Sequence, residues 1–210
     1  MLTNREKTDG SYKMFNTKFA QYLKQDVEVK HFFVQDVENA TVFRLFAGFA
    51  IPYGNNSVVP NIKQYFAGGS NSMRAWQSLG PGSYRDPNSV NLTYSMSDVK
   101  LEANVEQRFA IFSFLNGAVF TDIGNIWSIH KLNGEEGTTF GSGFYKQLAV
   151  AAGFGIRPNF SFFVLRLDFA LKLRDPSYEA SNRWLWIERQ AVWKGRYPDY
   201  NLTIGIGYPF

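Results

Sequence analysis

The sequence predicts an all-β fold, namely an antiparallel barrel that crosses a membrane with its strands. Three observations lead to this prediction. The last ten residues, Asn201–Phe210, alternate bulky apolar with small or polar side chains and end on an aromatic residue. Similar alternation recurs in six earlier segments, and the connections between segments alternate between short and long. Because successive side chains of a strand point to opposite faces, each segment has one apolar face.

The amino-acid composition is compatible with this class. Aromatic residues make up 17% of the 210 residues and charged residues 19%, while the mean hydropathy is only -0.25. No stretch approaches the roughly 20 apolar residues that a spanning helix needs. Many aromatic residues without a long apolar run are typical of membrane barrels, in which lipid-facing and inward residues alternate. A soluble β-barrel or sandwich has a similar composition, so composition alone leaves both classes open.

Several functional classes find no support in the sequence. The chain has no cysteine, which excludes disulfides and thiolate metal sites. Its net charge is +4, but lysine and arginine are scattered, so we expect no nucleic-acid partner. His31 and His130 lack the spacing of metal ligands, and we expect neither a metal nor another cofactor. Glu102 and Glu106 resemble a catalytic carboxylate pair, but without a serine–histidine pair we expect no enzymatic activity.

The predicted strands are each about as long as the 9–11 residues with which a tilted strand crosses the hydrocarbon layer. In chain order they are Gln21–Phe33, Thr41–Ile51, Val99–Phe109, Gly117–Trp127, Leu148–Pro158, Phe162–Lys172 and Asn201–Phe210. The third strand has the clearest pattern, since its apolar side chains alternate with charged and polar ones. The apolar set is Leu101, Ala103, Val105 and Phe109, and the opposite set is Glu102, Asn104, Glu106 and Arg108.

The other strands show the same division into two faces. The second strand places Phe43, Leu45, Ala47, Phe49 and Ile51 on one face. The fifth opposes Leu148, Val150, Ala152, Phe154 and Ile156 to small residues and Arg157. The sixth opposes Phe163, Leu165, Leu167, Phe169 and Leu171 to Arg166, Asp168 and Lys172. In the last strand, Leu202, Ile204, Ile206, Tyr208 and Phe210 share a face, which would put the aromatic end in the interfacial girdle.

The connections indicate direction as well as class. Short connections are predicted at Val34–Ala40, Ala110–Asn116 and Asn159–Ser161, and long ones at Pro52–Asp98, Ser128–Gln147 and Leu173–Tyr200. Outer-membrane barrels have short periplasmic turns and long extracellular loops, whereas a sandwich has no reason to collect its long loops at one end. The last strand should therefore run toward the periplasm.

The strand count predicts that the sequence is part of a larger barrel. Seven strands would leave two open edges, which lipid does not tolerate. We therefore expect residues 1–210 to be the C-terminal part of one outer-membrane β-barrel domain, with residues 53–98 forming a long extracellular loop. Met1–Gly10 lacks the apolar region of a signal peptide, so we expect a leader and further strands before it.

Three motifs occur in order along the chain. The long loop contains Met73-Arg74-Ala75-Trp76, the fourth strand contains Phe120, Asp122 and Gly124 on one face, and the last strand ends with Tyr208 and Phe210. Over Phe19–Phe210 the sequence resembles the bacterial surface antigen family, the BamA/TamA-type outer-membrane assembly barrels. That family carries Val-Arg-Gly-Phe/Tyr in loop six and Phe-x-Asp-x-Gly on strand thirteen. Here Ala75 replaces the motif glycine. Glu106 is similar to the family's inward glutamate on strand twelve.

The resemblance implies a structure and a function. It implies sixteen strands, a loop at residues 53–98 that folds into the lumen, location in the bacterial outer membrane, and insertion of outer-membrane proteins or translocation of substrates. It also implies a weak seam between the first and last strands, where substrate strands pair, and a C-terminal recognition signal that includes Tyr208 and Phe210. The implied partners are outer-membrane lipid, unfolded outer-membrane proteins and accessory assembly proteins.

The motif residues predict an ionic anchor for the loop. Arg74 has a planar fork of five donors suited to carboxylates, and Asp122 and Glu106 supply carboxylates on inward faces. We therefore expect a latch in which Arg74 binds Asp122 with Glu106 nearby. Without the family resemblance, Arg74 would be interpreted as a surface cation and Asp122 as a solvated lumen residue.

Other interpretations remain open from the sequence. One alternative function is a passive outer-membrane channel, for which Arg74 would be unnecessary. Another is a surface-structural or adhesive barrel, in which the long loops would be the functional part. The last long loop combines aromatic and basic residues, which indicates contact with the outer leaflet or a partner, or else an interfacial belt with a loop cap. These residues are Trp184, Trp186, Trp193, Arg183, Arg189, Lys194 and Arg196.

Overall fold

The computed structural model describes residues 10–15, 17–36, 39–84, 95–130, 137–160, 162–185 and 200–210. Seven strands form one sheet: β1 (Tyr22–Val34), β2 (Ala40–Pro52), β3 (Val99–Phe112), β4 (Leu115–Trp127), β5 (Ala149–Pro158), β6 (Leu165–Arg174) and β7 (Tyr200–Ile206). Two minor ribbons pair Lys13–Met14 with Thr17–Lys18 and Tyr65–Phe66 with Met96–Ser97. Single 3₁₀ turns cover Asn61–Lys63 and Phe144–Gln147. None of the described helices is long and apolar enough to cross a membrane.

The sheet is a continuous antiparallel meander. Strands are neighbours in chain order from β1 to β7, and these two strands form its edges. The prediction of an all-β antiparallel chain is confirmed. Strands β2 and β3, β4 and β5, and β6 and β7 are joined by the three long connections, which therefore lie at one end of the sheet. Connections of a few residues join the strands at the other end.

Two predicted strands run three or four residues past the observed ones. Strand β6 begins at Leu165 instead of Phe162, because the preceding residues form a tight turn in which Phe160 N donates to Phe163 O at 2.9 Å. Strand β7 ends at Ile206 instead of Phe210. Gly207 has φ +78°, a left-handed conformation that glycine adopts readily, and its N–H donates to Val164 O at 2.8 Å. The chain turns there, so Tyr208 and Phe210 do not continue the apolar face of β7.

The two faces of the sheet differ as the alternation predicts. The outer face carries exposed apolar side chains on every strand except β6, whose outward side chains are half-buried. In β7, Leu202, Ile204 and Ile206 are 69%, 72% and 77% exposed. The inner face carries charged and polar side chains that are nonetheless buried, among them Glu102, Glu106 and Asp122. Such an inverted distribution suits a sheet whose outer face is covered by hydrocarbon.

The loop between β2 and β3 covers the inner face. Its buried apolar residues pack with inner-face residues of the strands into one cluster. The loop contributes Val59, Tyr65, Ala67, Met73, Ala75, Trp76 and Leu79, and the strands contribute Ala50, Phe120, Ile126, Ala149, Ala151 and Ala170. Small alanines on the sheet leave room for the large loop side chains. The apolar core of this chain therefore lies between the sheet and its longest loop.

Candidate functional site

Arg74 lies at the tip of a tight turn in the loop. Trp76 N donates to Met73 O at 3.0 Å, which closes the turn, and Gly69 N donates to Trp76 O at 2.8 Å. Among the described non-glycine residues only Phe15 has a positive φ, so Ala75 adopts an ordinary backbone conformation. The turn therefore forms with alanine at the position where the family motif has glycine.

The guanidinium of Arg74 donates two parallel hydrogen bonds to the Asp122 carboxylate of β4. Its Nη2 donates to Oδ1 at 2.9 Å and its Nε to Oδ2 at 3.0 Å. The main-chain N of Arg74 also donates to Oδ2, at 3.1 Å. Both side chains are fully buried. A bidentate pair of this kind fixes orientation as well as distance.

Glu106 on β3 joins three arginines. Its Oε2 accepts from Arg74 Nη1 at 2.5 Å and from Arg157 Nη2 at 3.1 Å, and its Oε1 accepts from Arg108 Nε at 2.9 Å. Arg157 also donates to Asp168 Oδ1 at 2.8 Å. The buried charges thus form a network across β3 to β6, in which each carboxylate offsets the desolvation of neighbouring cations.

A second set of contacts ties the loop to β6. Arg166 Nη2 donates to Ser70 O at 2.8 Å and to Asn71 Oδ1 at 2.6 Å. The Arg166 side chain also forms an ion pair with Asp168 at 3.2 Å. The loop segment that precedes Arg74 is therefore held by an arginine of the sheet, whereas in the Arg74 contact the arginine comes from the loop and the carboxylate from the sheet.

The aromatic part of the strand motif packs against the same arginine. Arg74 Cζ lies 3.3 Å from the centroid of the Phe120 ring, within cation–π range. Phe120 pairs with Gly153 of β5, and a Cβ at position 153 would lie 2.5 Å from the Phe120 ring. Gly124, the last motif residue, pairs with Glu102 and leaves similar room for that side chain. Glycine thus makes space on the inner face.

The remaining motif residues anchor the turn. Met73 is fully buried in the apolar cluster, and Ala75 is 1% exposed. Trp76 packs in the same cluster and its Nε1 donates to Asp175 Oδ2 at 3.3 Å, beyond the end of β6. The loop motif therefore contacts β3, β4 and the end of β6 from which the last long connection leaves.

The last strand also contacts the site. Asn201 Nδ2 donates to the main-chain O of Arg74 at 2.9 Å. After the turn at Gly207, the Phe210 ring lies 5.7 Å from Arg74 Cζ, and Arg108 Nη2 donates to Phe210 O at 3.1 Å. The Tyr208 ring lies 4.1 Å from Arg108 Cζ. The two aromatic residues predicted as a terminal signal thus face the arginines of the inner face instead of the interfacial girdle.

A polar cluster beside the latch secures the loop to β2 and β3. Ser72 Oγ hydrogen bonds to Glu102, and Lys100 Nζ donates to Ser72 Oγ at 3.1 Å and to Phe66 O at 2.8 Å. Arg44 Nη1 donates to Glu102 Oε2 at 2.8 Å. The Glu102 carboxylate that resembled a catalytic group is therefore engaged by structural partners on both oxygens.

Farther toward β1, Tyr65 provides another attachment. Its hydroxyl bonds to Asp26 and lies against Gly48, where any Cβ would overlap the ring. Burial, together with the Asp26 carboxylate, raises the pKa of Tyr65 above its ordinary value.

Several residues of this site lie outside the sequence motifs and were therefore not predicted to belong to it. Arg157, Arg166, Asp168, Asn104 and Asn201 carry the network across the sheet, with Asn104 Nδ2 donating to Asp122 Oδ1 at 2.9 Å. Because these residues alternate with apolar neighbours, the sequence predicts that they lie on the inner face. It does not predict which residue each side chain contacts. Of the basic–aromatic loop, Arg183 and Trp184 are described, whereas Trp186, Arg189, Trp193, Lys194 and Arg196 lie outside the described residues.

The ion pairs of this site attach the long loop to the sheet. Glu102, Glu106, Asp122 and Asp168 are each paired with arginine or lysine, and the Phe120 ring covers the Arg74 guanidinium. Over the described ranges, no group of three or more histidine, cysteine, aspartate or glutamate side chains is placed to hold a metal ion. The arrangement can hold a loop against a wall and can release it if the ion pairs separate.

The chain is similar to known proteins in both sequence and fold. The family profile described as the Omp85 superfamily domain matches residues 7–210. Among solved structures, the chain is similar to the crystal structure of BamA from Haemophilus ducreyi lacking POTRA domains 1–3, with a TM-score of 0.57 and 16% sequence identity. The match covers 76% of this chain and 33% of that chain, so this chain spans about a third of that structure. No curated protein matches the sequence.

Proposed function

The chain belongs to the Omp85 superfamily, and we propose on this premise that it is the C-terminal part of an outer-membrane assembly barrel that inserts or translocates other proteins. The superfamily consists of assembly and transport proteins of the bacterial outer membrane, and this protein is located in that membrane. We further propose a complete barrel of sixteen strands, with residues 53–98 as an extracellular loop within its lumen.

The observation that carries the proposal is the complete burial of Arg74 between Asp122 and Glu106. A passive channel needs an open path, whereas here the longest loop is pinned to the inner wall by ion pairs. Separating a buried pair from one side costs on the order of 3–5 kcal/mol, so the latch holds unless another event compensates. We infer that the latch keeps the loop inside the lumen while the wall changes shape.

The latch is coupled to the last strand in this proposal. Asn201 of β7 donates to Arg74 O, and Phe210 lies beside the Arg74 guanidinium. Within the described sheet β7 is an edge strand, and its outer edge offers main-chain groups to which an incoming strand can pair, as in β-augmentation. Gly205 within β7 packs no side chain against a neighbour and so weakens the strand. Substrate strands would therefore pair at β7, with the latch as its internal support.

Depletion of the protein tests the function. We expect many outer-membrane proteins to decrease together, and complementation with Arg74→Ala to fail while complementation with Gln77→Ala, an exposed neighbour in the same loop, succeeds. Loss of the uptake of a single solute, with normal levels of other outer-membrane proteins, would instead support a channel. Unchanged surface adhesion would exclude a purely adhesive barrel.

Site-specific cross-linking tests the proposed seam. The chain has no cysteine, so single cysteines can carry a photo-cross-linker without background. Ile204→Cys lies on the edge strand and Phe154→Cys lies on β5 inside the sheet, and both original side chains are exposed on the outer face. We expect an unfolded outer-membrane protein to cross-link at position 204 and not at 154. Equal cross-linking at both positions would contradict pairing at β7.

A further inference from the structure

We propose that the extracellular rim between β5 and β6 binds the phosphate headgroup of an anionic membrane lipid, whose acyl chain lies on the outer face of the sheet. The site comprises Lys146, Arg174 and Arg183, which we call the rim cations. It lies on the opposite face from the Arg74 network and plays no part in the latch. The proposal rests on the membrane location of the protein and not on its assembly activity.

A β-bulge turns Arg174 toward the outside. Strict alternation along β6 would place it on the inner face with Lys172. The register between β5 and β6 shifts between Lys172 and Arg174, and Arg174 pairs with Val150, a residue on the outer apolar face of β5. A bulge of this kind re-aims side chains at the end of a strand. It therefore delivers a guanidinium to the lipid-facing side at the extracellular end.

The two arginines among the rim cations converge on one neutral acceptor, the main-chain O of Lys146. Arg174 Nη2 donates to Lys146 O at 2.5 Å, and Arg183 Nη1 donates to the same oxygen at 2.8 Å. Arg174 Nη1 also bonds to Leu148 O, and Arg183 Nε donates to Tyr178 O at 3.1 Å. Two guanidinium groups that share one carbonyl must lie side by side, with the exposed Lys146 attached to that carbonyl.

The positive charge of the rim cations is not balanced by the described residues. Within the described ranges, no carboxylate forms an ion pair with Lys146, Arg174 or Arg183. The nearby Asp175 is engaged by Ser177, Trp76 and Lys172. This contrasts with the inner face, where carboxylates accompany the arginines. Adjacent like charges repel, and a phosphate that accepts hydrogen bonds from both guanidinium groups relieves that repulsion.

The surroundings favour a lipid over a soluble anion. Tyr145 is 57% and Trp184 is 39% exposed beside the rim cations, and such aromatic residues are typical of the membrane interface. An apolar groove of about 440 Å³ also lies on the outer face, bounded at the extracellular end by Phe144 and Leu148. Its lining further includes Val29, Leu45, Ala103 and Ile123. The Phe144–Leu148 segment thus joins the cation site to a groove that suits an acyl chain.

Lipid binding by the intact protein purified from membranes tests the proposal. The protein is placed in phosphatidylcholine nanodiscs containing a minor fraction of phosphatidylglycerol, and co-purifying lipid is quantified by native mass spectrometry. Arg174→Gln combined with Arg183→Gln keeps hydrogen-bond donors to the carbonyls but removes two charges. We expect retained phosphatidylglycerol to fall at least about tenfold, from the contribution of each cation near an anionic surface.

Two comparisons make the outcome decisive. Lys18→Gln combined with Lys63→Gln removes the same charge at exposed positions elsewhere and should leave retention unchanged. Equal loss with this control, or unchanged retention in the double arginine variant, would overturn the proposal. Inorganic phosphate in excess should not displace the long-chain lipid. Complete displacement by phosphate would identify the site as one for soluble anions and would also overturn it.

Discussion

Arg74 and Asp122 lie 48 residues apart in the sequence, yet their side chains meet in two parallel hydrogen bonds of 2.9 and 3.0 Å inside the protein. The arginine comes from the tip of a loop and the aspartate from the inner face of β4. Glu106 on the adjacent strand accepts a third bond from the same guanidinium. The loop is therefore attached to the sheet at a site where removing one partner leaves the other charge buried and unpaired.

Removing the arginine should release the loop. In Arg74→Ala the buried carboxylates of Asp122 and Glu106 lose a cationic partner, which should destabilise the closed position of the loop by about 3–5 kcal/mol. Since each 1.4 kcal/mol is about tenfold, proteolysis within the loop should accelerate more than about a hundredfold. Arg74→Lys should have a smaller effect, because an ammonium cannot form the bidentate pair. Timed protease digestion of the folded protein measures this.

Gln77→Ala is the matched control for that digestion, since Gln77 is exposed in the same loop three residues from Arg74. Its cleavage rate should remain at the wild-type value. Equal cleavage rates for the wild type and Arg74→Ala would show that the ion pair does not hold the loop.

A methyl group at Gly153 should disturb the site from the neighbouring strand. The Cβ of Gly153→Ala would lie 2.5 Å from the Phe120 ring and even closer to Phe169 O, which is main chain and cannot rotate away. We expect a loss of about 1–3 kcal/mol in unfolding free energy, which is typical of overpacking. Denaturant unfolding followed by circular dichroism measures the loss. Gly141→Ala, with nothing within 4 Å of the added Cβ, should be neutral.

The Tyr65 contact predicts a dependence on alkaline pH. Burial and the Asp26 carboxylate raise the pKa of Tyr65 above the ordinary value of 10.0. A raised folded-state pKa means that this contact contributes its full stability below pH 10 or so and loses it as pH rises through the folded pKa. Tyrosinate absorbance should show a fraction, contributed by Tyr65, that ionises only above the ordinary tyrosine range.

Tyr65→Phe should abolish the late-ionising fraction, whereas Tyr145→Phe, which removes the hydroxyl of an exposed tyrosine, should leave it in place. A late fraction that persists in Tyr65→Phe would assign it to another tyrosine and contradict the predicted attachment.

The sequence predicted the sheet well because alternation is a local signal. All seven strands occur, in order, with their apolar faces outward as the pattern indicates. The errors fall where a backbone turn interrupts alternation. Glycine at position 207 permits either a strand or a left-handed turn, and the hydrogen bond of its N–H to Val164 O, a tertiary contact, accompanies the turn.

The site was only partly predictable for a related reason. Arg74, Asp122 and Glu106 could be paired because they lie in recognisable motifs. Arg166 and Asn201 could be assigned to the inner face, but their partners in the loop depend on how a connection of more than forty residues folds. The bulge before Arg174 is likewise a departure from alternation that leaves no signature in the residue types.

A double-mutant cycle between Arg74→Ala and Asp122→Ala, with loop opening measured by hydrogen exchange of residues 65–79, isolates the ion pair that attaches the loop to the sheet. Each single variant should open the loop strongly, and the effect of the double variant should be less than additive by at least about 2 kcal/mol, because the partners share one interaction. Effects that add to within about 0.5 kcal/mol would show that the two side chains act independently and would contradict the latch.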